Sequence, residues 1–215
     1  MTMIPRAATQ QQLDASNLYA SLLEEAKGRI ASIDAAISGR VPLPAQLIRE
    51  YSYLQIRMLC ELIALGCLIA HGDIAATHTV TLRKAWSADK IIRRLEKLHS
   101  NFYPHPIRLT VTPGHVHFDR LESGFLTKGE LLNLYNQKCG EELHRGSLTD
   151  LLATTQQTSS QDFADIADWT NKIIMLLNQH HIASADNLSH FICMLKNADF
   201  ADHAAVAIAL SPLPT

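Results

Sequence analysis

Residues 51–71 read YSYLQIRMLCELIALGCLIAH. As one helix, this stretch is apolar on nearly every side of its second half. Such a helix belongs in a core or a membrane, because water suits none of its faces. Arg57 and Glu61 supply its charge, four residues apart and therefore on one face. With Arg49 and Tyr53 they make a polar ladder at four-residue steps. Two readings attach to the pair. It presents charge from the core helix to a ligand or catalytic cleft, or it is a partly buried ion pair that fixes how the helix docks. The apolar run 58–70 is short for a bilayer and is broken by Glu61, which predicts a core helix and no membrane.

The surrounding chain is built to bury such a helix. Its 215 residues suffice for one sizeable core, and 47% hydrophobic with 19% charged residues is a globular composition. The net charge of −2 draws the protein to neither nucleic acid nor membrane as a whole. From Ser147 onward, however, seven Asp face only Lys172 and Lys196, so the last part carries −5 and the remainder +3. The cysteines (Cys60, Cys67, Cys139, Cys193) form no CxxC pair and read as free, buried thiols of a reducing compartment. The segment MTMIPRAATQQQ lacks the apolar core of a signal peptide. The expectation is a cytoplasmic protein.

Periodicity fills in the rest. Residues 1–10 read as a frayed leader. Leu18, Leu22, Ala26, Ile30, Ile33 and Ile37 draw one apolar stripe and predict a helix over 11–38. GRVPLP at 39–44 ends it, and the central helix starts near Pro44 and runs to His71. A third helix is predicted over 81–99, with Trp86, Ile92, Leu95 and Leu98 inward and the cations Arg83, Lys84, Lys90, Arg93, Arg94 and Lys97 outward. NFYPHP closes it. IRLTV and HVHFDRL alternate around TPG, a hairpin at 107–121. Thr127 and Glu130 make a capping box for a fourth helix that stops at Gly146. SLTD at 147–150 opens a short one, and TTQQTSSQ at 154–161 is a polar linker. A fifth long helix ends at His180–His181. HFICMLK and HAAVAIAL form a hairpin over 190–210. The expected class is α+β, predominantly α: a single domain over 1–215, with a helical core over about 11–181, about five helices and a small antiparallel sheet from two hairpins.

Candidate chemistry follows. His144, in KCGEELHRG at a helix end beside Arg145, is placed to act as acid or base or simply to complement the helix dipole. The R-x-x-x-E pair Arg57/Glu61, followed by Tyr-x3-Cys-x4-His ending at His144, resembles the HEPN superfamily over about residues 45–146. Those are small helical proteins of toxin–antitoxin and abortive-infection systems, many of them dimeric RNases whose Arg-x(4–6)-His motif lines the dimer cleft. The resemblance implies RNA binding or metal-independent cleavage by a homodimer. His144 would be the acid–base group, Arg145 or Lys138 the phosphate stabiliser, and Arg57 and Glu61 the groups behind the cleft. Lys138 stands where the family has arginine, and lysine lacks the bidentate fork. A literal Arg-x4-His also occurs at Arg94–His99. The basic helix, with Arg83, Lys84, Lys90, Arg93, Arg94 and Lys97, is the candidate phosphate-binding surface, or else a solvated outer face. His115 and His117 share one face of a strand, near His105, and are the candidate metal ligands. No cofactor is expected. No P-loop, GxGxxG, GxSxG or HExxH is present. The alternative is a non-enzymatic protein that binds a partner protein or itself.

Overall fold

The two apolar periods at the N-terminal end become an antiparallel helix pair. In the computed structural model, which describes residues 7–72, 74–112, 115–143 and 159–211, helix α1 spans Gln10–Ile37 and α2 spans Ala45–Ala70. Helix α1 starts at a capping box between Thr9 and Gln12. It closes at Gly39, whose φ of +77° is left-handed and free of strain only for glycine. Ala26 and Ile33 of the predicted stripe are buried, but towards the start of the helix Tyr19 and Leu23 are inside in place of Leu18 and Leu22, and Leu18 is exposed.

Helix α2 is the centre of the core, with Ile56, Leu59, Cys60, Ala64 and Cys67 fully buried. By length and composition it could cross a membrane, but 56% of its most apolar window is buried against the rest of the chain. That is the state of a core helix. All four cysteines are buried and free.

The predicted third helix is broken. Val80–Arg83 forms the short α3, Lys84–Ser87 leaves helical geometry, and α4 runs Ala88–Leu98. Ile92 and Leu95 are buried as expected, but Trp86 lies in the break and is 65% exposed, not inward. Helix α5 (Lys128–Asn133) opens on the Thr127/Glu130 capping box and passes through a π-helical turn, Leu134–Lys138, into α6 (Cys139–Leu143). Helix α7 (Ser159–Leu177) ends before the histidines, so its predicted end at His180–His181 is corrected. The capping signature at 147–150 lies outside the described residues.

His180 and His181 belong instead to a strand. Among the described residues one antiparallel sheet runs in the order β2-β1-β3-β4-β5, from β1 (His105–Thr112), β2 (His115–Arg120), β3 (Gln179–Ala183), β4 (Ser189–Asn197) and β5 (His203–Leu210). The fold is α+β and predominantly α, as expected, but its sheet has five strands: β3 joins the two predicted hairpins. The β1–β3 register shows only His105↔His181 and Pro106↔His180. Alternation in β4 turns Phe191, Cys193 and Leu195 into the core. Hydrogen bonds from Tyr19 to His180 and from the Ala204 amide to Glu24 fix α1 on that side of the sheet.

Gly66 lets α1 and α2 approach. A Cβ built there would sit 2.8 Å from Tyr19 Cε2, and Tyr19 cannot swing away without losing its buried hydrogen bond to His180. Gly66→Ala is expected to destabilise the fold by about 1–3 kcal/mol, the usual cost of overpacking. Urea unfolding followed by circular dichroism measures it; an unchanged midpoint would contradict this packing.

Candidate nucleic-acid interface

The break between α3 and α4 makes a cleft. Its volume is about 540 Å³, and Thr79, Leu82, Lys84, Ala85, Trp86, Ser87, Lys90 and Arg94 line it. The break has local causes. Thr79 caps α3 by accepting from the Leu82 amide, and the Lys84 amide closes the turn onto Val80 and Leu82 carbonyls. Ser87 is the N-cap residue of α4, with Asp89 in the first turn. Ser and an acidic residue two positions on are a start signal for a second helix, one that the prediction of a single helix passed over. Trp86 precedes that cap and is left outside.

Three cations and no carboxylate line the cleft. Along α4, Lys90, Arg94 and Lys97 follow at steps of four and three, forming one row about 10 Å long at 1.5 Å per residue. The acids of this helix are engaged elsewhere. Asp89 pairs with Arg93 at 2.7 Å and accepts from Asn136, and Glu96 pairs with Lys128. Among the described residues Lys84, Lys90, Arg94 and Lys97 have no ion-pair partner. Arg93 of the predicted set is therefore neutralised, and the side chain of Arg83 lies outside the described residues.

Arg57 and Glu61 meet a third residue, Tyr135 of the π turn. Arg57 Nη2 donates to Tyr135 Oη at 3.2 Å, and Oη donates to Glu61 Oε1 at 3.0 Å. The guanidinium carbon lies 4.4 Å from the ring centroid. Arg57 Nε and Glu61 Oε1 are 3.8 Å apart. Burial raises the Tyr135 pKa above its ordinary value, and the Glu61 carboxylate adds to the rise. The phenol stays protonated and links the ion pair. Two turns before Arg57 along α2, Arg49 bonds Glu142 of α6 at 2.6 Å. The polar ladder thus docks the π turn and α6 onto the core helix. It borders the cleft, since Ser87, which lines the cleft, is among the groups that act on the Tyr135 hydroxyl.

Other predicted positions lie apart from the cleft or outside the described residues. Lys138 is half exposed, 3.9 Å from Glu141. His144 and Arg145 lie outside the described residues. His99 packs its ring 5.2 Å from that of His71. His117 bonds Asp119 on an exposed strand, and the His115 side chain lies outside the described residues. Among the described residues no group of three His, Cys, Asp or Glu is placed to hold a metal ion. A larger cleft of about 940 Å³ between α1, α7 and β4 has an isoleucine-rich floor (Ile30, Ile33, Ile37, Ile174), and its acids Glu24 and Asp34 are already paired with Lys27 and Arg40.

The strand histidines form their own polar system. His180 Nδ1 faces the Leu177 carbonyl, which can only accept, so Nδ1 carries the proton and Nε2 accepts from Tyr19 Oη at 2.8 Å. His181 Nε2 lies 3.0 Å from His190 Nδ1, the two rings stacked at 5.2 Å, with Phe118 at 5.2 Å from His181. Burial pushes both His180 and His181 down to about 4; for His181 the neighbouring His190, Arg120 and His105 add to the effect.

Comparison of the chain with protein-family models, with curated proteins and with solved structures finds no match. The HEPN resemblance therefore rests on the motif residues alone.

The histidines make stability depend on pH. Both are neutral in the folded protein, so above the unfolded value of about 6.5 they cost nothing. As pH falls from about 6.5 towards 4 the unfolded chain takes up protons that the folded one refuses, and stability drops. The expected loss is about 1–3 kcal/mol per histidine by pH 4. Urea midpoints measured from pH 7.5 to 4.5 should fall, and His181→Asn should flatten the slope. A pH-independent midpoint would refute the assignment.

Proposed function

We propose that the protein binds RNA through the cleft and the basic row of α4. The observation that carries this reading is the convergence of Lys84, Lys90 and Arg94, without a carboxylate, on one cleft. Unpaired cations in a row release counterions from a phosphate backbone, which supplies sequence-independent affinity. The chain's net charge of −2 gives no such pull, so the attraction is local. RNA as the polymer is what the HEPN resemblance implies. Of the two activities it implies, binding is the one proposed; the cleavage residues His144 and Arg145 lie outside the described residues. Four buried thiols fit the reducing cytoplasm as the place of action.

A second reading is self-association through α2. Its outward side carries Leu47, Tyr51, Leu54 and Met58 at four-, three- and four-residue steps, with Leu47 46% and Leu54 44% exposed. That spacing is a coiled-coil seam, which another seam of the same kind completes. An antiparallel two-fold pairing would set Leu47 against Met58 and Tyr51 against Leu54. It would bring Glu50 of one copy beside Arg57 of the other, on the flank of the seam.

Two measurements test these readings. Lys90→Glu with Arg94→Glu should weaken RNA binding at least ten-fold at about 50 mM salt and flatten its salt dependence, while leaving the circular dichroism spectrum unchanged. Wild-type affinity in that variant would sink the RNA reading. For self-association, sedimentation equilibrium at tens of micromolar should give a dimer that Leu54→Glu converts to a folded monomer. A monomeric wild type would remove that reading.

A further inference from the structure

We infer that Trp86 is a stacking platform for one unpaired base, so that the strand bound at the cleft is single-stranded. This rests on the nucleic-acid reading of the cleft and specifies its ligand.

Trp86 is 65% exposed in a fold that buries its neighbours Ala88, Ile91 and Ile92 completely. Leaving the largest apolar side chain in water forgoes about 25 cal/mol for each Å² not buried, which local packing normally recovers. Trp86 is held outside by what flanks it. On one side the Lys84 and Ala85 amides are bonded to α3 carbonyls, and on the other Ala88 is locked into the core as α4 begins. The backbone that carries the indole is therefore held at the rim of the cleft, and the ring is presented there to solvent.

What faces the indole selects the ligand. The lining combines an apolar floor at Leu82 with the cations Lys84, Lys90 and Arg94. An aromatic face beside unpaired cations matches a nucleotide, with its flat base and charged phosphate, and base–aromatic stacking of this kind is indifferent to sequence. A protein partner anchored by Trp86 would need acidic groups of its own against three cations. The volume of about 540 Å³ lies within the range of small-ligand clefts. A duplex keeps its bases stacked inside and offers Trp86 no face, whereas a single strand can turn a base out. Lys97 continues the row along α4, where the strand's next phosphates would follow.

The test uses intrinsic fluorescence. The chain has two tryptophans, so Trp169→Phe leaves Trp86 as the sole reporter. That protein is titrated with a single-stranded RNA of about 12 nucleotides, a single-stranded DNA of the same sequence, and the RNA duplex, at about 50 mM salt. A single strand should quench Trp86, and the duplex should not. Trp86→Ala should weaken single-strand binding by about ten-fold or more and leave duplex binding within about two-fold, while Trp86→Phe retains most of the affinity. Lys90→Glu with Arg94→Glu should weaken both. Quenching by RNA alone or by RNA and DNA alike supports stacking and tells which strand is taken. If RNA binds in a manner sensitive to Lys90 and Arg94 but neither quenches Trp86 nor responds to Trp86→Ala, the stacking inference is overturned and the RNA reading stands. If no nucleic acid binds the wild-type protein, both fall.

Discussion

Helix α2 has more apolar surface than any one neighbour covers, and the architecture follows from that constraint. Its interior faces are closed by α1, α4, the α5–α6 segment and α7, so elements distant in sequence are gathered around one rod. The closest approach is at Gly66, where the absence of a Cβ admits the Tyr19 ring. Tyr19 then reaches past α2 to His180 and ties the helix pair to the central strand of the sheet. A single contact thus couples helix packing to sheet position. The sheet depends on it further, because β3 is the strand that joins both hairpins.

Polar groups within this framework are nearly all committed. Arg57, Tyr135 and Glu61 satisfy one another, and the triad fastens a π turn, an irregularity that costs helix hydrogen bonding and needs a reason to persist. The reason is registry: the extra residue brings Tyr135 over the ion pair while Cys139 stays in the core. The arrangement is partly buried, so removing one partner leaves the other poorly satisfied, though forming it adds little net stability. Against this background the unpaired cations of the cleft stand out. Asp89 and Glu96 on the same helix take Arg93 and Lys128 and leave Lys90, Arg94 and Lys97 open.

The long elements were legible because their signals are physical and local. The 3.6-residue period with Gly39 and Pro44 marked α1 and α2, and two-residue alternation marked β1, β2, β4 and β5. Strand β3 was not legible: QHHIA is five residues without alternation, abutting a helix, and its identity comes from its neighbours in the sheet. The third helix misled because Ile92, Leu95 and Leu98 repeat at three-residue steps and the same helix was extended back over Trp86. Ser87 and Asp89 overrule that pattern, and with it the expectation that Trp86 faces inward. The cations of the site were legible as a row, but their unpaired state was not, since pairing across α4 and α5 is a tertiary property. The same holds for Arg57 and Glu61, whose four-residue spacing was plain while Tyr135, 74 residues beyond Glu61, was not.

The cleft and the outward seam of α2 are different surfaces of elements packed into one core, and this bears on how the two readings relate. Helix α4 packs on α2 through Ile91, Ile92 and Leu95, so the basic row is fixed relative to the seam without a flexible joint. If two copies pair through α2, the two clefts are carried at a set separation. A strand long enough to span them gains affinity from effective concentration with no new contact, and a strand too short gains none. Self-association would therefore set the length of nucleic acid that is preferred, while the cleft sets what is recognised at each end. On the two proposals together, the surfaces would act as a single binding device, in which the buried side of α2 positions the cleft and its exposed side sets the spacing.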